Sequence, residues 1–378
     1  CLWRNESVYD IINMVIRSSN EYIYRGVNRF MMSFRDEKLK NEEVPMDIVS
    51  LIGKINEYKG KQNLYLDQSP QVLEKLKEVA VVQSTKASNS IEGIVITDKR
   101  LKEIMHDNTV PKDRSEGEIA GYRDVLNTIH TSYDAIPINP NIILQFHRDL
   151  YKFVSAEGGK WKNQDNVIEE ILPNGERYVR FKPVSAANTP VAVEELCDYL
   201  SREMKEENIE PLILIGTFIL DFLSIHPFND GNGRMARLLT LLLLYKYDYK
   251  VGRYISLEKV IAESKSSYYK SLNKSSIGWH EGEHNIFIWL NYFLGTLLAA
   301  YREFEDRVGL VKNKKGNKSF RVEKAIKSTV GKFEKEDIRN ACPDVSESTI
   351  NRVFKKLKEE GIIELLGKGR NAKWKRLE

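Results

Sequence analysis

Two apolar runs in the middle of the chain most constrain how it can fold. Residues 212–225 and 238–245 are almost continuously apolar, and Asp221 is the charged residue within the first run. Both runs are shorter than the roughly 20 apolar residues that a helix needs to cross a bilayer. They therefore predict two buried core helices, and we expect no membrane partner.

Most of the remaining chain also has helical periodicity. The spacing of apolar residues predicts helices over 46–58, 70–84, 115–132, 140–154, 189–206, 211–224, 235–247, 258–273 and 286–308. Segment 167–181 differs, because two short strand-like arms flank Pro173-Asn174-Gly175, a composition typical of a hairpin turn. The sequence thus predicts a mainly α core with a small β-hairpin.

The C-terminal part has a different pattern. Residues 311–318 are polar, basic and glycine-containing, which predicts a linker. Beyond it we predict helices at 321–329, 335–342 and 347–360 and strands at 362–366 and 372–377, the plan of a winged helix-turn-helix domain. Residues 312–378 contain 19 basic and 10 acidic side chains, although the whole chain has a net charge of only +4. DNA and protein both remain open as partners of residues 319–378.

The segment between the two apolar runs, HPFNDGNGRMAR at 226–237, predicts a phosphate cradle. Gly231, Asn232 and Gly233 allow successive backbone N–H groups to point into one concavity at the start of a helix. Arg234 and Arg237 are three residues apart on that helix, so both guanidinium groups can clamp a polyphosphate.

Two further side chains of this segment suggest a reaction. Asp230 offers a carboxylate to Mg²⁺, which binds through few protein oxygens together with phosphate oxygens. A neutral imidazole at His226 can take a proton from an attacking hydroxyl. The combination favours phosphoryl-type transfer by positioning and charge neutralisation.

This segment resembles, at every defined position, the Fic family signature His-Pro-Phe-x-Asp-Gly-Asn-Gly-Arg-x-x-Arg. The resemblance implies transfer of AMP from ATP, with Mg²⁺, to a Tyr, Thr or Ser hydroxyl of a target protein. The roles it implies are His226 as general base, Asp230 as Mg²⁺ ligand, Gly231, Asn232 and Gly233 around the α- and β-phosphates, and Arg234 and Arg237 at the β- and γ-phosphates. It also implies a buried Phe228, a hairpin that aligns the target, and a Tyr268-Tyr269 pair in which Tyr269 contacts the adenine.

A second stretch, SNSIEG at 88–93, resembles the inhibitory motif of the same family. It lies N-terminal to the signature, as in the class whose inhibitor and active site share one chain. Ser88 is expected to brace its helix, and Glu92, followed by Gly93, to pair with Arg237 at the γ-phosphate position. The resemblance therefore implies an enzyme that is inactive until Glu92 is displaced.

The predicted organisation is an unassigned extension at 1–45, a helical region with the inhibitory motif at 46–110, a Fic core at 111–310, the linker at 311–318 and the winged helix domain at 319–378. Transfer of UMP, phosphocholine or phosphate, removal of AMP, and a DNA-binding regulator with a vestigial core are the alternatives. Three widely spaced cysteines predict a reducing cytoplasm. Self-association, as a homodimer, is a further expectation.

Overall fold

The computed structural model describes residues 33–34, 38–66, 70–105, 109–154, 158–171, 176–312, 318–329, 332–343, 345–367 and 372–377. Its helices and strands are, in chain order, α1 (Lys38–Asn41), α2 (Met46–Leu66), α3 (Pro70–Ile91), α4 (Asp98–Met105), α5 (Arg114–Ser132), α6 (Pro140–Leu150), β1 (Ile168–Ile171), β2 (Arg177–Phe181), α7 (Thr189–Glu206), α8 (Pro211–Ile225), α9 (Asn232–Lys246), α10 (Leu257–Glu263), α11 (Lys265–Ser276), α12 (Phe287–Lys312), α13 (Lys318–Lys327), β3 (Lys332–Glu334), α14 (Lys335–Ala341), α15 (Glu347–Glu359), β4 (Ile363–Leu365) and β5 (Lys373–Arg376). The prediction of a mainly α protein with small β elements is confirmed.

The described residues form two compact units. The first lies within 1–49, 110–247 and 264–293, and the second within 50–109, 248–263 and 294–378. Each unit is assembled from separate stretches of the chain. The boundaries that the sequence predicts for a Fic core and its flanking regions stay a prediction.

Helices α8 and α9 form the centre of the first unit. They pack against each other, and α8 also contacts α7 and α11 while α9 contacts α5 and α6. Side chains from both helices are completely buried, among them Leu214, Phe218, Leu238 and Leu242. The two apolar runs are therefore core helices, as predicted.

A close approach of α5 to α6 depends on two glycines. A Cβ on Gly121 would lie 2.1 Å from the carbonyl oxygen of Leu150, and one on Gly117 would lie 2.8 Å from that of Phe153. The two glycines are four residues apart and so face the same side of α5. Their missing side chains let α5 contact α6 closely enough to bring Glu118 into the interior.

The predicted hairpin arms are present. Strands β1 and β2 pair antiparallel, with Ile168 opposite Phe181 and Ile171 opposite Arg177. Phe181 stacks on His280 with ring centroids 5.4 Å apart, which attaches the end of β2 to the loop after α11. The predicted turn at Pro173-Asn174-Gly175 lies outside the described residues.

In the second unit, α3 packs against α10 and α4. A buried hydrogen bond from Ser84 Oγ to Glu258 Oε2, at 2.7 Å, joins α3 to α10. The prediction of one helix over 258–273 is wrong, because the chain breaks at Ser264 into α10 and α11. Helix α3 also runs past its predicted end to Ile91, so that it includes Ser88.

The C-terminal module has its own core. Buried Val322, Phe354 and Trp374 belong to a cluster that α13, α14, α15 and the sheet share. The sheet has the order β3-β5-β4, and sequence periodicity missed the three-residue strand β3. Residues 313–317, the middle of the predicted linker, lie outside the described part.

Among the helices that the structure describes, none is both long and apolar enough to cross a membrane. Cys197 and Cys342 are buried, and neither is in a disulfide bond. Burial raises the pKa of the Cys197 thiol, which is the behaviour of a core residue rather than of a nucleophile.

Candidate active site

The loop between α8 and α9 holds His226 in a fixed orientation. His226 ends α8 in the left-handed region, at φ 51 and ψ 61, and its N–H donates to Phe222 O. Its ring Nδ1 lies 3.2 Å from the carbonyl oxygen of Leu223. Because a carbonyl can only accept, Nδ1 carries the hydrogen and Nε2 carries the lone pair. The ring nitrogen able to take a proton is thus Nε2.

Asn232 closes the loop from inside. Its Oδ1 accepts the N–H of Phe228 at 2.9 Å, and its Nδ2 donates to the carbonyl of the same residue at 2.7 Å. Phe228 itself is fully buried, as expected. Since the Asn232 amide is committed to the loop, its contribution to an anion site comes from its backbone N–H.

The predicted phosphate cradle lies at the start of α9. Gly231 has φ +84, a left-handed conformation that favours glycine. Met235 is the residue whose N–H first bonds back into the helix, at 2.9 Å from Gly231 O. The backbone N–H groups of Asn232, Gly233 and Arg234 therefore lack an intrahelical acceptor. They form the positive end of the helix dipole.

Arg234 is a buried cation with two protein partners. Its Nη1 donates to Glu118 Oε2 at 2.5 Å, and its Nη2 donates to the Tyr151 hydroxyl at 2.8 Å. A buried guanidinium needs such a partner, because an isolated buried charge is costly. Glu118 thus compensates the buried charge of Arg234.

Asp230 lies at the rim of this network. Its Oδ2 is 3.1 Å from Arg114 Nη2, and its Oδ1 accepts the N–H of Gly231 at 2.6 Å. Arg114 also donates through Nε to Glu118 Oε1 at 2.5 Å, which raises the pKa of its guanidinium. Asp230, Arg114, Glu118 and Arg234 therefore form a chain of alternating charges.

His147 supports the loop from the α6 side. Its ring stacks on Phe228, with centroids 3.7 Å apart and planes at 2°. Nδ1 accepts the Gly159 N–H at 2.9 Å, so Nε2 carries the hydrogen and donates to Asp230 O at 3.1 Å. Burial lowers the pKa of His147 to about 4, which keeps the ring neutral.

The sequence interpretation missed Arg114, Glu118, His147 and Tyr151, and also Lys162 and Asn166, which donate hydrogen bonds to backbone carbonyl groups on either side of His226. They lie on α5, on and after α6, and before β1, distant in sequence from the signature. One signal existed for Glu118, because it follows Gly117 and precedes Gly121 by three, and a carboxylate between two small residues on one helix face suggests a buried partner.

The other predicted nucleotide contacts are less closely defined. Arg237 is buried one turn after Arg234 on α9. On α11, Tyr268 belongs to the core and stacks edge-on with Tyr269, centroids 5.2 Å apart, while Tyr269 is partly exposed. Of the two tyrosines, Tyr269 is the one that a base could contact, and its role stays a prediction.

The predicted inhibitory residues lie in the second unit, at the end of α3. Ser88 is completely buried and Glu92 is exposed. The N–H of Gly93 bonds Ser90 O and that of Ile94 bonds Asn89 O, with Gly93 at φ +83, which is a Schellman ending. Gly93 therefore ends α3 in a left-handed conformation that favours glycine.

Comparison with known proteins finds a family match in the first unit. Residues 137–244, which include His226 and Arg237, match the Fic/DOC family model. A protein adenylyltransferase from Caenorhabditis elegans, fic-1, is 26% identical over 200 residues, covering 50% of this chain and 35% of that protein. The chain thus spans about a third of the length of this curated relative.

Solved structures share the fold. A Fic family protein from Desulfovibrio desulfuricans G20 has a TM-score of 0.57 at 19% identity and covers 89% of this chain and 97% of its own. Fic-1 from Caenorhabditis elegans has a TM-score of 0.51 at 18% identity and covers 79% of this chain and 77% of its own.

Proposed function

We propose that this protein transfers AMP from ATP to a hydroxyl side chain of a target protein. One observation carries the proposal: His226, with Nε2 as the proton acceptor, lies on the short loop that leads into a helix start whose N–H groups and buried Arg234 suit a polyphosphate. The Fic/DOC family match and the adenylyltransferase relative support the same reaction.

The step requires few groups. The target oxygen attacks the α-phosphorus of ATP, the new O–P bond forms as the bond to the β-phosphate oxygen breaks, and pyrophosphate leaves. His226 Nε2 takes the hydroxyl proton. Backbone N–H groups at the start of α9 and the guanidinium groups of Arg234 and Arg237 stabilise charge on the phosphates.

The residues at the rim fit a magnesium ion. Asp230 offers an exposed carboxylate, and among the described residues no cluster of three or more acidic, His or Cys side chains forms a dedicated metal cage. Mg²⁺ usually binds through one or two carboxylates and substrate phosphates, so a single Asp suffices. When bound it would neutralise phosphate charge.

The β1–β2 hairpin is the proposed docking edge for the target. Tyr178 and Val179 on β2 are exposed apolar side chains beside a two-stranded sheet. Addition of a target strand would pair backbone groups without demanding a strict sequence. We propose that Tyr269 contacts the adenine.

Isotope labelling tests the reaction directly. Glu92→Gly is incubated with Mg²⁺ and ATP labelled at either the α- or the γ-phosphate. Label from the α-phosphate alone, absent in Glu92→Gly/His226→Ala, is the expected result. Label from the γ-phosphate would mean phosphate transfer, and no label from ATP while UTP or CDP-choline labels protein would mean a different donor. Release of AMP from a modified protein would indicate the reverse reaction.

We also propose that Glu92 inhibits the enzyme. Support comes from the SNSIEG motif and from its position, exposed at a helix end that Gly93 terminates. Glu92→Gly is expected to label faster than wild type by at least about tenfold, a barrier change of about 1.4 kcal/mol. The matched change Glu103→Gly, on α4, should have no such effect. Equal rates of wild type and Glu92→Gly would contradict inhibition without contradicting AMP transfer.

A second candidate function is DNA binding by the C-terminal module. Lys332 lies directly opposite Lys375 on neighbouring strands, and both are exposed. Like charges in this arrangement are destabilising, and Glu364, opposite Lys375 on β4, offsets only one of the two lysines, so the remaining positive charge of this strand surface suits a polyanion. Lys332→Glu/Lys375→Glu should weaken binding of a labelled duplex and reduce the salt slope by about 1.8. Lys205→Glu/Lys274→Glu, with the same charge change, should not; no binding by wild type would favour a protein partner.

Self-association and a reducing cytoplasm remain proposals. Light scattering at several protein concentrations tests the homodimer, and a mass independent of concentration would exclude it. Cys197 and Cys342, which are buried and not in a disulfide bond, are compatible with a reducing compartment. Thiol counting after isolation without reductant would test this, and a disulfide would contradict it.

A further inference from the structure

Four consecutive carbonyl groups of the signature loop accept hydrogen bonds from one short segment that precedes the hairpin. Lys162 Nζ donates to Ile225 O at 3.0 Å, and the Lys162 backbone N–H donates to Pro227 O at 2.9 Å. Asn166 Nδ2 lies 3.4 Å from His226 O and 3.2 Å from Phe228 O. Lys162 and Asn166 therefore hold the first part of the loop, from Ile225 to Phe228.

The loop needs external donors because of its own sequence. His226 has φ 51, a conformation that costs a non-glycine residue about 1 kcal/mol or more. Pro227 has no N–H with which to tie the backbone down. The carbonyl groups are thus the acceptors through which residues outside the loop can hold the turn, and Lys162 and Asn166 donate hydrogen bonds to them.

Lys162 is buried within this arrangement, and Asn166 is half-buried. Lys162 is 3% exposed, and its ammonium group also donates to Asn166 Oδ1 at 2.9 Å. Burial lowers the pKa of Lys162 to about 8. A buried lysine is expensive unless its hydrogens are used, so its position points to a role that a smaller polar residue would not fill.

The same segment forms the base of the hairpin. Asn166 lies two residues before β1, which begins at Ile168. Asp165 Oδ1 accepts the N–H of Ala186 at 2.7 Å, which joins the residues before β1 to those after β2. The docking edge and the His226 loop therefore share one hydrogen-bonded frame.

We propose that Lys162 and Asn166 are positioning residues that keep His226 in register with a target strand on the β1–β2 hairpin. The proposal rests on the proposed AMP transfer. The two side chains act through the backbone of the loop and leave the phosphate site at the start of α9 to other residues. They should therefore affect the transfer step rather than nucleotide binding.

Variants made in the active Glu92→Gly background test the proposal. Initial rates of α-phosphate labelling are measured over a range of ATP concentrations for Lys162→Met and Asn166→Ala, and ATP affinity is measured by calorimetry. We expect the maximal rate to fall by about 10- to 100-fold, since a misplacement near 1 Å is enough. The half-saturating ATP concentration and the Kd should change by less than about twofold, because both side chains bond the loop backbone and not the start of α9.

Two controls separate positioning from general damage. Lys162→Arg should recover most of the rate, because a guanidinium also donates to carbonyl oxygens. Lys205→Met, the same chemical change at an exposed lysine in the last turn of α7, should leave rate and affinity unchanged. If Lys162→Met does not fold, Asn166→Ala alone tests the proposal.

Unchanged maximal rates in both variants, or a loss that lies wholly in ATP affinity, would overturn the proposal. Absence of label in the Glu92→Gly parent would instead contradict AMP transfer. In that case hydrogen exchange decides: Asn166→Ala should speed exchange of the His226 and Phe228 amides together with those of β1 and β2. Exchange as slow as in the parent would refute the shared frame.

Discussion

Gly231→Ala is the perturbation that best separates loop geometry from overall stability. Gly231 joins Asp230 to the first residue of α9 and has φ +84. A Cβ there would meet the Tyr151 hydroxyl at 3.1 Å and its ring carbon Cε2 at 3.2 Å. The substitution therefore strains the backbone and presses on the tyrosine that accepts a hydrogen bond from Arg234.

The two effects have different sizes. A non-glycine residue in the left-handed region costs about 1–2 kcal/mol. If Tyr151 moves away and loses the hydrogen bond from the Arg234 guanidinium, about 1.5–3 kcal/mol more is lost, because that donor is charged. We expect Gly231→Ala to lower the free energy of unfolding by about 2.5–5 kcal/mol in total.

Gly282→Ala is the matched control. Gly282 is in the same unit at φ +74, but a Cβ there would meet nothing within 4 Å. It should lose about 1–2 kcal/mol from backbone strain alone. Urea denaturation measures both values, and calorimetry with ATP and Mg²⁺ measures affinity. Gly231→Ala should raise the Kd for ATP about tenfold or more, and Gly282→Ala should not.

Equal losses in the free energy of unfolding would show that Tyr151 moves aside without a loss of stability. An unchanged ATP affinity in folded Gly231→Ala would refute the reasoning more deeply. It would mean that neither the turn at Gly231 nor the orientation of Arg234 matters for the phosphates.

Three further outcomes follow from the structure. Gly121→Ala should lower the free energy of unfolding, measured in urea, by about 3 kcal/mol or more, because its Cβ would lie 2.1 Å from Leu150 O. Gly53→Ala, on α2, should instead raise it by about 0.5–1 kcal/mol, because a Cβ there would meet nothing within 4 Å. Burial lowers the pKa of His147 to about 4, so the unfolded chain binds more protons between pH 6.5 and 4. As the pH falls through that window, the unfolding free energy of wild type should therefore decrease by up to about 3 kcal/mol more than that of His147→Gln. Asp230→Asn should raise the Mg²⁺ concentration needed for half-maximal labelling, and chelation should abolish labelling; an unchanged Mg²⁺ dependence would remove Asp230 as the ligand.

Local patterns predicted much of the fold. The helices at 189–206 and 211–224 appear within one residue of the expected bounds, because a proline at the first or second helical position marks the start of each. The break at Ser264 and the short strand β3 escaped prediction. Both depend on packing against distant residues, and neither leaves a periodic signal of its own.

Half of the candidate site follows from the signature and half does not. The signature gives His226, Asp230 and the glycines because their chemistry is local to one turn. Glu118 and Lys162 act on that turn from elsewhere in the sequence, and their value appears only when α5 and the residues before β1 are folded beside it. A lysine that binds a carbonyl in the interior cannot be distinguished by sequence from one on the surface.

The two ion pairs at the start of α9 differ in the free energy needed to break them. Arg234 and Glu118 are 1% and 4% exposed, so removing one partner would leave the other charge buried and is expensive. Arg114 and Asp230 are 64% and 59% exposed, and an ion pair of that kind contributes about 1 kcal/mol or less. Arg114 can therefore release Asp230 to an incoming cation at little cost, while Arg234 stays fixed. In the proposed reaction, the immobile pair would present preorganised donors to the phosphate charge, and the replaceable pair would give up Asp230 to the metal.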